Sequence, residues 1–470
     1  MGFRLNADRI TTQYTKTLAD FAVGLKYEDI PADVRERAKY IAMQTIGAAL
    51  ATKGTPIQQR AVALGKTIGS GEPQATLWTD GSKVSMAAAA FTAGTLSDAL
   101  DWEDCSWTGH PAAGIVPTAF IVCEALKKSG KDFITAIVAA YETSQRIAMV
   151  VQPPAEWNTI NGWGLTSWQI FAALVPAAKL MGLTSEQFEQ AFGFGCLACP
   201  VPSNLHHITM SDAYHFEHGF RANDGILCAQ TALMGVDNYT GCFDDTYSWD
   251  YHMTSDPQPN WYTKELGSKW LTKETLLKHW PANMWIQTPL ELADMMRHKY
   301  QIQAEDIQEI VIDPPTFARM FYDSKGYTSL VQAQFSIPFM LATYFLNPRP
   351  GKEWFERRLL TDPAILTLAA RVHPGPSEPH YMHLNFKDFQ NGKFPTKTFT
   401  IRTKDGHVYT ETMSCHPGHP HNMMTGEEFC DRFRIQASVT LDADKLERAV
   451  NALNHIEACE DISTLSTYLY

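Results

Sequence analysis

The run Gln308-Glu-Ile-Val-Ile-Asp-Pro-Pro315 decides how this chain is built. Its β-branched apolar residues, closed off by two prolines, predict a strand where everything earlier reads as helix. Working back from it, residues 288–300 form a helix. Before that, the chain up to about residue 270 is almost wholly helical in pattern. Leu18, Phe21, Ala22 and Leu25 make one apolar stripe, and Val34, Ala38, Ile41, Ile46 and Leu50 another, with Pro31 and Asp33 marking a start between them. Residues 56–66 and 84–100 predict helices on either side of a short Thr76-Leu-Trp78 strand. Residues 115–127, 133–151, 161–182 and 185–198 continue the helical pattern, with Gly182 as a C-cap and Thr184 as an N-cap.

Working forward, residues 332–347 are helical. Lys397–Arg402 and His407–Met413 flank Lys404-Asp-Gly406 as a hairpin with an Asp-Gly turn, and residues 426–433 and 443–456 are helices again. The expected fold is therefore mainly α: a large all-helical domain with a smaller inserted α/β lid domain. The expected partition is 1–271 for the first part of the helical domain, 272–416 for the lid, and 417–470 for C-terminal helices returning to the helical domain.

The chain has 470 residues, 39 Lys and Arg against 51 Asp and Glu, and a net charge of −12. Such a balance leaves no basic footprint for nucleic acid or an anionic membrane. An acidic substrate would need local cations. The nine cysteines are scattered and odd in number, as expected of reduced thiols. No apolar run reaches the ~18 residues of a membrane helix, and the N-terminus lacks a signal-peptide core, so a cytoplasmic protein is expected.

Chemistry concentrates in residues 98–119, where Asp98, Asp101, Glu103 and Asp104 precede His110-Pro111. Carboxylates beside an imidazole can move a proton near neutral pH, yet a polar helix end with a solvated loop fits equally well. Elsewhere, Asn161-Gly-Trp-Gly164 precedes a helix and could meet an anion, although a plain turn is the commoner use. His206, His207, Asp212, His215 and His218 cluster without a recognisable zinc spacing. Lys278, in Lys278-His-Trp280, sits where the pattern changes and suits a carboxylate clamp at a domain boundary. Cys105 with His110 could form a thiol and base, with no oxyanion element in view. Cys415-His-Pro-Gly-His-Pro-His421 reads as a turn.

Several of these segments together resemble the MmgE/PrpD family. They are residues 29–39, Asp101-Trp-Glu-Asp104 with His110-Pro-Ala-Ala-Gly114, Ala140-Tyr-Glu142, Lys179–Thr184, His218–Gly225, Ala333–Pro338 and Gly418–Glu428. The resemblance implies a cleft between a helical domain and a lid, a homodimer, and no metal or organic cofactor. It implies proton abstraction next to a carboxylate of a small di- or tricarboxylic acid, then loss of water or carbon dioxide, or reprotonation. Asp101, His110 and Lys278 fall on the family's catalytic acid, histidine and lysine positions. Cys105 falls on a threonine position and Tyr322 near a tyrosine.

Three departures stand out. Gly164, beside Trp163, replaces a family histidine, Tyr214 replaces a second lysine, and Gln287 stands near a lid histidine. His206, His207 or His215 could make up the loss. The expected activity is a cofactor-independent dehydratase or decarboxylase acting on a small or alkyl-substituted acid, with His110 held by Asp101 and Lys278 clamping a carboxylate. Asp98 and Glu103 are expected to be structural. Cys105, Trp163, Gly164, His207, Tyr214, His215 and Tyr322 are expected to line the substrate site. Two alternatives are an epimerase or isomerase, and a family member that binds ligand without turnover.

Overall fold

The computed structural model describes residues 12–106, 109–151, 165–200, 211–244, 248–254, 256–315, 326–378 and 396–470. Helices α1 (Tyr14–Gly24), α2 (Ala32–Leu50) and α3 (Pro56–Ile68) come first, then the short antiparallel pair β1 (Ala75–Thr76) and β2 (Lys83–Val84). Next are α4 (Met86–Asp98), β3 (Asp104–Cys105), α5 (Ala112–Leu126), α6 (Gly130–Val151), α7 (Leu165–Met181), α8 (Ser185–Ala198), α9 (Phe216–Leu233) and α10 (Trp249–Met253). Helix α5 is apolar on every side, and every residue from Ala112 to Glu124 is buried. A helix apolar all round must sit inside others, and α4, α6, α7 and α9 surround this one.

Strand β4 (Leu276–Leu277) begins the remainder, followed by α11 (Gln287–Tyr300), β5 (Ile307–Asp313), α12 (Leu330–Gln334), α13 (Ile337–Leu346), α14 (Pro363–Ala369), β6 (Val372–Pro374), β7 (Lys397–Thr403) and β8 (Val408–Met413). The sheet runs β6-β5-β7-β8, with β6 parallel to β5 and the other pairs antiparallel. Ile307, Ile310 and Ile312 of β5 are buried with Phe399 and Ile401 of β7 in a second apolar cluster. The chain is thus mainly α, with a smaller α/β portion.

The helix expected over 332–347 is in fact two. Phe335 ends α12, and Ser336 caps α13 by accepting from the Phe339 amide. Pro338 sits in the first turn of α13, where its missing N–H costs nothing, whereas one continuous helix would lose a bond there. The last helices, α15 (Gly426–Ala437) and α16 (Ala443–Asn454), carry Phe429, Phe433, Leu446 and Leu453 into the same core as α2. The turn between the sheet and α15 is tight: Gly418 has φ +91°, and a Cβ there would lie 1.9 Å from the Leu277 carbonyl oxygen.

Candidate active site

The β3–β4 pair joins the acidic segment to Lys278. Asp104 pairs with Leu277, and the Lys278 amide donates to the Glu103 carbonyl at 3.0 Å. Gln44 of α2 secures both strands, its amide donating to the carbonyls of Trp102 and Lys278. From the other side α9 crosses α4 at close range. A Cβ on Gly219 would stand 2.2 Å from Thr95 Oγ1 and 2.5 Å from the Phe91 carbonyl, so only glycine lets the helices meet. This contact delivers His218 to Asp98 at the end of α4. Gly219→Ala is expected to force the helices apart and cost about 1–3 kcal/mol, read as a lower denaturant midpoint.

Asp98, Asp101, Glu103, His110, His215, His218 and Lys278 converge here, all buried. Lys278 Nζ donates to Asp101 and, at 2.6 Å, to Glu103 Oε1. His110 Nδ1 lies 2.6 Å from Glu103 Oε1 and 2.8 Å from Asp98 Oδ1. His215 Nδ1 lies 2.7 Å from Asp98 Oδ2, and His218 Nε2 lies 3.4 Å from Asp98 Oδ1. One carboxylate therefore receives three imidazoles. Asp101 has φ +52°, a conformation that non-glycine residues seldom keep without functional cause.

The partners fix where the protons are. Gln334 Nε2 donates to the Ala99 carbonyl, so its Oε1 is what faces His215 Nε2 at 2.8 Å. His215 thus has an acceptor at each ring nitrogen and must donate from both, which makes it an imidazolium. Its pKa is raised accordingly: burial lowers it, and the bond and charge of Asp98 more than compensate. His110 is likewise held well above its ordinary value. Burial and Lys278 push it down, while Glu103, Asp98 and Cys105 raise it. Its remaining nitrogen, Nε2, lies 3.4 Å from the Tyr214 hydroxyl. Burial would raise Asp98, but His218, His110 and His215 hold it well below the carboxylate range. Burial pushes Asp104 up to about 7, with Tyr141 donating to one oxygen and the Ala112 amide to the other.

The structure brings together Asp101, Cys105, His110, Tyr214, His215 and Lys278. Trp163, Gly164, His207 and Tyr322 lie outside the described residues. Two expectations need correction. Asp101 does not hold His110: the two are 3.7 Å apart, and Asp98 and Glu103 hold the ring instead. Lys278 is not an unengaged clamp, because its ammonium is already bonded to two carboxylates. Asp98, Glu103 and Gln334 went unassigned in the sequence, and His218 was seen there only as part of a histidine cluster. The available signal was that Asp98 and Asp101 are three apart at a helix end. Gln287 is buried and structural, bonding the backbone of Trp280 and Ala282 just beyond Lys278.

Asp98–His110–His218 and Asp101–Glu103–His110 each have donor atoms close enough to share a cation. The Lys278 ammonium, 3.3 Å from the His110 Nδ1 common to both, already supplies positive charge at that point. We therefore assign no metal ligand.

Comparison with known proteins gives matches along nearly the whole chain. The MmgE/PrpD N-terminal domain matches residues 16–262 and the MmgE/PrpD C-terminal domain residues 280–456. A cis-aconitate decarboxylase of Aspergillus terreus is 24% identical over 96% of this chain and 94% of its own length. The cis-aconitate decarboxylase-like protein oryM of Aspergillus oryzae is 24% identical over 96% of each. The human cis-aconitate decarboxylase is 22% identical over 97% of this chain and 94% of its own.

Proposed function

Because the chain belongs to the MmgE/PrpD family, we propose that it is a cofactor-independent lyase working by proton transfer next to a carboxylate of a small carboxylic acid. The observation that carries this reading is His110. Asp98 and Glu103 anchor its Nδ1, which leaves Nε2 as the working nitrogen in a buried site. An imidazolium so placed can protonate a leaving hydroxyl or a developing carbanion, and exclusion of water strengthens every charge around it.

The charge count bears on the substrate. Among the described residues Asp98, Asp101 and Glu103 face Lys278 and the imidazolium ions of His110 and His215, so the cluster is close to neutral. A tricarboxylate needs surplus positive charge. The balance favours an acid with fewer carboxylates, including an alkyl-substituted one, over the acid in the relatives' names. The proposal includes the partition 1–271, 272–416 and 417–470, with the middle part as a lid. It also includes a homodimer: the exposed Phe220, Leu227 and Met234, seven apart along α9 and its cap, offer the apolar face such a dimer buries.

The test is a panel of citrate, cis-aconitate, malate and 2-methylmalate, followed by NMR for loss of water or carbon dioxide. Turnover is expected with at least one acid, falling about 10²- to 10⁴-fold in His110→Asn, which keeps a donor toward Asp98 and removes Nε2. No turnover of any acid, or full activity in the variant, overturns the reading.

A further inference from the structure

We infer that His218 is a second proton-transfer residue of this site: its Nδ1 takes the substrate's C–H proton while His110 Nε2 delivers one. The inference rests on the carboxylic-acid reading above and divides its chemistry between two imidazoles.

The geometry carries it. His218 Nε2 faces the Asp98 carboxylate and so keeps its hydrogen, which leaves the lone pair on Nδ1. That nitrogen is buried and has no hydrogen-bond partner among the described residues. Buried polar atoms without partners are rare and call for an explanation, and an incoming C–H group supplies one. The His110 and His218 rings stand 5.9 Å apart and 24° from parallel, each with its protonated nitrogen on the same carboxylate and its other nitrogen turned away.

The surroundings drive the two rings in opposite directions. Burial lowers His218 to about 4; Asp98 opposes this, while His110, His215 and Lys278 add to it, so the ring is neutral near pH 7. His110 is held as the cation by Glu103 and Asp98. Neighbouring groups separated in this way suit a base and an acid.

The pair also favours certain reactions. In a dehydration the C–H proton passes to His218 Nδ1 and its electron pair forms the double bond. The neighbouring C–O bond breaks, and hydroxide leaves as water with the proton from His110 Nε2. His218 is then cationic and His110 neutral, and one proton passing between them by way of Asp98 or water restores the start. Double-bond migration uses the same two transfers. Plain decarboxylation needs only the delivery, so the pair points to dehydration or isomerisation of a hydroxy or unsaturated acid.

The experiment uses the full-length protein with the same four acids in heavy water, reading C–H to C–D exchange and product formation separately. His218→Gln retains a donor toward Asp98 and removes the Nδ1 acceptor. It is expected to lose exchange by at least about 100-fold while its melting temperature and acid binding stay near those of the parent. His110→Asn is expected to keep exchange within about threefold and lose product by about 100-fold or more. Nitrogen-15 spectra of histidine-labelled protein should give His218 as the neutral Nε2–H tautomer from pH 5 to 8. Exchange preserved in His218→Gln, or His218 found cationic or in the other tautomer, overturns this inference and leaves the broader function standing. A parent protein that neither exchanges nor turns over any acid overturns both.

Discussion

Lys278→Met is expected to cost about 3–5 kcal/mol of folding stability, the largest single effect in the molecule outside its apolar core. Methionine fills nearly the same volume, so the loss is electrostatic. Asp101 and Glu103, both buried, would keep their negative charge with no ammonium, and Asp101 Oδ2 and Glu103 Oε2 already lack hydrogen-bond partners. In the parent protein the lysine pKa is raised. Burial opposes this, and Asp101 and Glu103 prevail, so its contribution is complete below the ordinary value of 10.5 and fades only as pH climbs through the higher folded value. In the variant the sign reverses. The bereft carboxylates are harder to ionise when folded than unfolded, so stability should rise as pH falls through the carboxylate range. Urea unfolding at pH 5 and pH 8 checks both points. A loss below about 1 kcal/mol at pH 8 would mean the pair is solvated rather than buried.

Asp98→Asn is expected to lower turnover about 10²- to 10⁴-fold, because the carboxylate is what keeps His110 and His215 cationic. Asparagine can still accept a hydrogen bond but cannot balance charge. The same change should flatten the dependence of stability on pH. Asp98, whose folded pKa lies below 3.8, stabilises the protein above that value and ceases to do so as pH falls through the lower folded one. His110 and His215, raised above 6.5, contribute fully below 6.5 and progressively less as pH rises through their folded values. Both contributions coincide between roughly pH 4 and 6.5. Melting temperature followed from pH 4 to 9 should fall toward the alkaline end in the parent and much less in Asp98→Asn. Identical slopes would mean that Asp98 is not what holds the imidazoles charged.

Most of the helices could be read from spacing and caps, since Thr184 and Gly182 act locally and need no knowledge of the fold. The break at Ser336-Ile-Pro338 was legible in principle but lost in a continuous apolar pattern. The site was only half legible. His110 and Asp101 lie in one segment and share a motif. Asp98, by contrast, looks like the polar end of an alanine-rich helix, and nothing local reveals that residues 12, 117 and 120 positions further on will turn their rings toward it. Lys278 was misjudged for the same reason. Its charge was read as available because the two acids that consume it lie 175 and 177 residues away.

That separation bears on how the molecule comes into being. The two-residue ladder of β3 and β4 closes a loop whose ends meet only after the helices between them are in place. By chain statistics, closing so long a loop costs about 4–5 kcal/mol before any contact repays it. Until residue 278 has left the ribosome, the emerging helices hold Asp98, Asp101 and Glu103 without their ammonium. Water must then hydrate those carboxylates, and the half-made interior stays wet. The lysine acts as a completion signal: its arrival lets the acidic seam dry and seals early and late portions of the chain into one cooperative unit.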